Sequence, residues 1–407
     1  MPYRPFIVPR EIFYGPGALE ALATLPGERV LIVTDRGVRD SGVVERVEKV
    51  LQAKKAEMTV FDGIEPDPSQ STVWSIFSLA QDFQPDLFIG LGGGSSIDAG
   101  KGAWALYEHP DLAERSLREV GPELRGRILR QKAKYVAIPT TSGTGSEVTN
   151  VAVITDRDVE PHFKVVWGSP HLVPDVAIAD PELAASMPPA VTANTGFDAL
   201  VHAIECYVLT PPSDLIDSLA IGAARTIWEW LPRVVADGKD MLARDKMHLA
   251  ALQAGMAFSN GRLGLVHVIA HDIGAVFGIP HGRANAFMLC PAFAFLYPGR
   301  KARLSSLATS LGIAGRGDRN KVANLLTGLD QLKQEIGIPL AIKDAGQDKG
   351  QFQAKLDPMA ESYMNNIGRG IAGLPPEVRK TVGLPASADE VKELLMHAWN
   401  GTRADLK

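Results

Sequence analysis

Leu87-Phe88-Ile89-Gly90-Leu91-Gly92-Gly93-Gly94-Ser95-Ser96-Ile97-Asp98-Ala99-Gly100-Lys101 is the stretch on which the fold turns. An apolar run leads into a glycine run, and the residues after it favour the start of a helix. Glycines remove Cβ atoms where a backbone must approach phosphate oxygens, and the helix that follows offers free N–H groups and the positive end of its dipole. This order suits a pyrophosphate. Two standard templates fail. A P-loop would need Gly at Ser95 and Ser or Thr at Gly102, and the dinucleotide fingerprint beginning at Gly90 meets Ser95 in place of its last glycine. Without a ligand, the same residues read as a tight strand-to-helix turn.

Outward from this stretch, the first half of the chain alternates short β-branched runs with helical stretches, the pattern of an α/β domain with a mainly parallel sheet. Strands are predicted at 29–34, 86–91, 135–138, 151–154 and 176–179, most of them near-continuously apolar, as buried parallel strands are. From about Thr192 the texture changes to Ala- and Leu-rich stretches with apolar residues three and four apart, such as 214–231 and 241–258. Pro188-Pro189 marks the junction, because consecutive prolines interrupt regular structure. The expectation is an α/β dinucleotide-binding domain over 1–187 and an all-helical metal-binding and substrate domain over 188–407.

Composition narrows the function classes. The 407 residues are 45% hydrophobic and 22% charged, which excludes disorder as the main theme. A net charge of −5 without a long basic block argues against a nucleic-acid partner. The two cysteines, Cys206 and Cys290, lie in apolar segments and form no CxxC, which fits a reducing cytoplasm and no thiolate zinc site. Pro2, Pro5 and Pro9 among Arg4, Arg10 and Glu11 break up any signal-peptide core, so no export signal is expected. The apolar stretch 286–297 contains Pro291 and is shorter than the roughly 20 residues of a spanning helix, so no membrane is expected either.

Three further features carry chemistry. Pro139-Thr140-Thr141-Ser142-Gly143-Thr144-Gly145-Ser146-Glu147-Val148-Thr149 follows an apolar strand and crowds hydroxyls around two glycines, a composition suited to ribose and phosphate. Alternatively, its hydroxyls cap turns. Asp35 ends the first long predicted strand, where a carboxylate can accept bonds from an adenosine ribose and repel a 2′-phosphate, favouring NAD over NADP. An N-terminal helix cap is the alternative there. In the helical half, Asp198 and His202 are four apart, and so are His267 and His271, which places each pair on one helix face. His281 follows in the turn Gly278-Ile279-Pro280-His281-Gly282. A carboxylate with several imidazoles is a divalent-metal set, and its nitrogen content suits Fe²⁺ or Zn²⁺ over Mg²⁺ or Ca²⁺. His271-Asp272 also spells the signature of histidine–aspartate metal phosphohydrolases, but such enzymes have no use for the glycine loop and are all helical.

These blocks, in this order, resemble the iron-containing alcohol dehydrogenase family. The resemblance rests on Pro9-Arg10-Glu11-Ile12-Phe13-Tyr14-Gly15-Pro16-Gly17-Ala18-Leu19, the GGGSSIDAGK of 92–101, the PTTSGTGSEVT of 139–149, and the segments 196–205 and 264–282. It implies a dehydroquinate-synthase-like architecture, a homodimer or higher homo-oligomer, and a metal held by Asp198, His202, His267 and His281. His271 would lie beside the metal, and His267 and His271 form the catalytic pair. The resemblance also implies that Gly92, Gly93, Gly94, Ser95 and Asp98 hold the pyrophosphate, that Thr140, Thr141, Ser142 and Thr144 line the cofactor cleft with Val153 and Leu183, and that Lys164 sits near the nicotinamide ribose. Asp67 stands where many members carry Asn. The family's Asn-Pro-Arg block is missing after 359–366, where 367–384 takes its place.

The activity so implied is NAD-dependent interconversion of a primary alcohol or diol and its aldehyde. The metal would lower the alcohol's pKa, and His271 would relay the proton, since imidazole ordinarily titrates near about 6.5. Alternatives in the same architecture are a glycerol- or polyol-type zinc dehydrogenase and a dehydroquinate-synthase-like lyase. A catalytically silent homologue is disfavoured, because every expected ligand is present.

Overall fold

The computed structural model describes residues 5–159, 162–365, 384–385 and 387–406. Most of 367–384, the segment replacing the family's Asn-Pro-Arg block, lies outside the described residues. Among the described residues the strands are, in chain order, β1 (Glu11–Tyr14), β2 (Arg29–Val33), β3 (Glu57–Phe61), β4 (Leu87–Gly92), β5 (Lys134–Pro139), β6 (Val151–Asp156), β7 (Phe163–Gly168) and β8 (Val176–Ala179). Six form a parallel sheet in the order β1-β8-β5-β4-β2-β3.

Successive strand residues point to opposite faces, and the packing follows that rule. Leu31, Val33, Phe88, Tyr135 and Ala137 face a core shared with α3 (Gln70–Phe83) and α4 (Gly94–Glu108). Val30, Ile32, Ile89, Val136 and Ile138 face the opposite core, shared with α2 (Val43–Ala53). Helices on both faces explain why the central strands lack a polar side. The short α1 (Arg36–Asp40) follows β2, and α5 (Leu117–Leu124) precedes β5.

Two differences from the sequence reading have plain causes. The run at 151–154 was expected among the parallel strands, but β6 pairs antiparallel with β7 in a separate two-stranded sheet. There, burial of Ala152, Ile154 and Trp167 alternates with half-exposed residues such as Val166, the signature of a sheet with one wet face. β1 and β3, which the pattern did not single out, are the two edges of the sheet, where burial is incomplete and the apolar signal is weak.

The chain divides into two compact units, Met1–Pro188 with Asp237–Asn260, and Pro189–Ala236 with Gly261–Lys407. The return of α8 (Met241–Asn260) to the first unit departs from a single division at 187/188. Its Leu252 packs with Val148, Ala177 and Ala179. A helix periodicity shows that one face is apolar but not which core receives it.

The second unit contains α6 (Pro189–Leu209), α7 (Asp214–Ala236), α9 (Leu265–Phe277), α10 (His281–Ser310), α11 (Gly317–Glu335), α12 (Lys349–Tyr363) and α13 (Ala388–Asn400). α6 begins on Pro189, whose missing N–H costs nothing in a first turn. α9 ends on Gly278, left-handed at φ 62°. Among the described residues, no helix is long and apolar enough to cross a membrane.

Candidate functional site

In the second unit, α6 carries Asp198 and His202, α9 carries His267 and His271, and α10 carries His281. His281 was expected in a turn; it is instead the first residue of α10, directly after Pro280. Asp198, His267 and His281 each bring one ligand atom to within 4.8 Å of the other two. Asp198 Oδ1 lies 3.9 Å from His267 Nε2 and 3.8 Å from His281 Nε2. The His202 ring stacks on His267 with centroids 4.6 Å apart, adjoining this set without belonging to the mutual 4.8 Å group. His271 stands beside His281, centroids 5.0 Å apart.

Close helix approach makes this convergence possible. A Cβ at Gly282 would stand 2.0 Å from the Asn194 carbonyl oxygen and 3.1 Å from Asp198 Cβ, so only glycine lets α10 start this close to α6. Two side chains outside the expected set orient His267 and Asp198. Glu205, fully buried on α6, accepts from Val266 N at 2.7 Å and pairs with His267 Nδ1 at 2.5 Å. With the proton on Nδ1, the lone pair of Nε2 is directed at Asp198 and His281. Asn285, one turn after His281, donates Nδ2–H to Asp198 Oδ1 at 2.6 Å. Both sit at helical spacing from expected site residues, Glu205 three after His202 and Asn285 four after His281, but spacing alone does not single them out.

The donor set fits a divalent cation on the structure's own terms. His267 Nε2 is buried and has no hydrogen-bond partner among the described residues, which is costly unless something else occupies the lone pair. One carboxylate and two imidazoles, with His202 adjoining, match Fe²⁺ or Zn²⁺. Asp272 is not in this group; its Oδ1 accepts from Ser362 Oγ at 3.0 Å, and burial pushes its carboxyl up to about 7. The phosphohydrolase reading of His271-Asp272 therefore has no metal set built on Asp272.

In the first unit, β2 connects to β3 on one side and β4 connects towards β5 on the other, so the β2–β4 pair is the switch point where ligands bind in such sheets. Asp35 follows β2 and Gly92 ends β4. Gly92 is left-handed at φ 147°, and a Cβ there would sit 2.5 Å from Ser96 Oγ. Asp35 caps α1 by accepting from Val38 N at 3.0 Å, and its second oxygen accepts from Ser96 Oγ at 3.3 Å. The cap alternative is thus realised, and the same carboxylate touches the glycine loop.

Gly93 and Gly94 open α4, with Ser95 in its first turn, and face the hydroxyl loop. A Cβ on Gly93 would lie 3.5 Å from Thr141 Cγ2, and one on Gly94 2.9 Å from Thr144 Cγ2. Thr140 N donates to Gly92 O at 2.9 Å, tying the loops' starts together. Thr141 Oγ1 is buried and has no hydrogen-bond partner among the described residues. Ser142 Oγ is 2.9 Å from Nδ1 of His248, a buried α8 histidine that burial pushes down to about 4. Val153 N donates to Asp98 Oδ2 at 3.0 Å, and burial raises the Asp98 carboxyl. Lys164 Nζ pairs with Asp67 Oδ1 at 2.6 Å. Leu183 is a core residue that packs with Ile89, Leu91 and Ile138.

Comparison with known proteins gives the class. The family model for iron-containing alcohol dehydrogenase matches residues 9–181, and the model for the C-terminal part of the Fe-containing alcohol dehydrogenase family matches residues 192–369. The chain belongs to the iron-containing alcohol dehydrogenase family and is a metal-dependent oxidoreductase acting on alcohols. It is 39% identical over 401 residues to the NADPH-dependent butanol dehydrogenase of Clostridium saccharobutylicum, covering 98% of this chain and 99% of the relative. It is 34% identical over 394 residues to the 1-propanol dehydrogenase PduQ of Salmonella typhimurium, covering 96% and 98% of the two chains. A solved 1,3-propanediol oxidoreductase superposes with a TM-score of 0.86 at 31% identity, covering 98% of this chain and all of that one.

Proposed function

We propose that the protein interconverts a primary alcohol or diol and its aldehyde, using Fe²⁺, with Zn²⁺ as the second metal its donors accept, and NAD(H) as the preferred dinucleotide. The observation that carries this reading is the convergence of Asp198, His267 and His281 from three helices, with a buried His267 Nε2 that has no hydrogen-bond partner among the described residues. His202 completes the ligand set. When bound, the metal supplies Lewis acidity that lowers an alcohol's pKa by several units. Glu205 holds His267 in the tautomer that leaves Nε2 open, and Asn285 holds the Asp198 carboxylate. His271, next to His281, takes the alcohol's proton and passes it outward.

The dinucleotide is held by the glycine loop, Gly92–Gly94 with Ser95 and Asp98, and by Thr140, Thr141, Ser142 and Thr144, with Val153, Leu183 and Lys164 contributing to the same region. Asp35, placed beside Ser96, favours NAD over its 2′-phosphorylated form. Two buried free cysteines support a reducing, cytoplasmic setting. A homodimer or higher homo-oligomer is the expected assembly, to be read by light scattering.

A panel of 1-propanol, 1-butanol and 1,3-propanediol with metal-loaded protein tests the reading through the absorbance of reduced nicotinamide. Accumulation with at least one alcohol, faster with NAD than NADP, is expected; none with any alcohol refutes it. In the same assay, Asp35→Gly shifts the NADP/NAD rate ratio upward by about tenfold, the worth of one hydrogen bond to a carboxylate. An unchanged ratio leaves Asp35 as a cap alone.

A further inference from the structure

Lys101 closes the GGGSSIDAGK run and has no part in the proposed ligand contacts. Its side chain is fully buried on α4. A buried ammonium is costly unless every hydrogen finds an acceptor, and Lys101 has an unusual set. Nζ donates to Ser146 O at 2.6 Å, Thr149 O at 2.9 Å, Val151 O at 3.0 Å and Thr149 Oγ1 at 3.1 Å. All four belong to the end of the hydroxyl loop and the first residue of β6. The Asp98 carboxylate stands further off, its Oδ1 4.0 Å from Nζ. Carbonyl dipoles, more than an ion pair, therefore hold the charge. Burial pushes the ammonium down to about 8 and the neighbouring Glu147 carboxyl up to about 7.

The connectivity gives this arrangement a consequence. α4 starts at the glycine loop, and Lys101 lies two turns further along it. The carbonyls converging on Nζ fix the far end of the hydroxyl loop, while Thr140 N on Gly92 O fixes its near end. Between these two anchors lie Thr141, whose Oγ1 has no hydrogen-bond partner among the described residues, and Thr144, packed against Gly94. We propose that Lys101 is a positioning residue for the dinucleotide: it ties the hydroxyl loop to the glycine-loop helix, setting the spacing between the two loops without touching the ligand. This rests on the dinucleotide reading of those loops.

The test compares wild type with Lys101→Met, Lys101→Arg and Thr149→Val. NADH and NADPH binding is followed by the fluorescence of the reduced nicotinamide, alongside metal content, melting temperature, and KM and kcat for the dinucleotide. Lys101→Met is expected to raise the dissociation constant and KM by about 10- to 100-fold, the range for lost charge-assisted hydrogen bonds. Metal content stays at the wild-type level, and Lys101→Arg recovers part of the affinity. Thr149→Val, which removes one acceptor of Nζ together with the Thr149 hydroxyl's own bond to Ser146 O, weakens binding by about threefold and decides the matter if Lys101→Met does not fold. Unchanged dissociation constant and KM in folded Lys101→Met, or in Thr149→Val if the former is unfolded, overturn the proposal, even where melting temperature falls. Wild type that binds neither dinucleotide instead overturns the reading on which it rests.

Discussion

Where the first unit presents backbone groups and hydroxyls gathered at neighbouring strand ends, the second presents side-chain nitrogens and oxygens gathered from three helices. The glycine loop works by what it lacks: small residues let α4 start beside Thr141 and Thr144. The proposed metal set would work by what it has, since Asp198, His267 and His281 each bring one ligand atom to within 4.8 Å of the others. A site assembled from many backbone contacts should weaken in small steps when altered, and one assembled from a few ligands should fail at once.

The sharpest way to break this contrast is at a ligand. Asp198→Ala or His267→Ala should abolish metal retention and lower turnover by on the order of 1,000-fold, since Lewis-acid stabilisation is worth several kcal/mol. Nicotinamide fluorescence should still report near-wild-type dinucleotide binding. A variant that keeps both its metal and its rate refutes the cluster.

A second test asks whether the support of the hydroxyl loop depends on an uncharged histidine. His248 is buried against Ser142, and burial, assisted by Arg244, depresses it to about 4 from its ordinary value of 6.5. The unfolded chain then binds more protons at this position between those values, so stability falls as pH drops from 6.5 to 4. Converted at 1.36 kcal/mol per unit, the loss is on the order of 3 kcal/mol. Urea unfolding of wild type against His248→Gln over this range should show a shallower acid limb in the variant; parallel curves would refute the assignment.

A smaller effect separates a ligand from the group that orients it. Glu205→Leu removes the acceptor on His267 Nδ1 and should weaken metal affinity by about 10- to 100-fold, with Glu205→Gln retaining most of it through its carbonyl. Equilibrium dialysis against Zn²⁺ checks both. Equal affinities in wild type and Glu205→Leu would show that packing alone orients His267.

The two regions also differ in how far the residues announce them. The strand–glycine–helix order is local, so β4, α4 and the loop between them were legible from one contiguous run. The i,i+4 pairs placed Asp198 with His202 and His267 with His271 on common helix faces, but their meeting was not local. Glu205 and Asn285 lay in plain view at helical spacing, with no signal marking them apart from ordinary buried polar residues. Lys101 was hidden for a different reason: its acceptors are mainly backbone carbonyls, which have no sequence identity.

By itself, the amino-acid order determined an α/β half with a glycine loop opening a helix, a helical half, and the kinds of side chain available to a cation. Such features follow from neighbours along the chain, through periodicity, propensity and the absence of Cβ atoms. Tertiary structure alone decided that α8 joins the first unit, that β6 leaves the parallel sheet, and that Asp198, His267 and His281 come within bonding reach of one ion. Those outcomes depend on which apolar faces bury one another, and a stripe of buried side chains specifies that it must be covered without specifying by what.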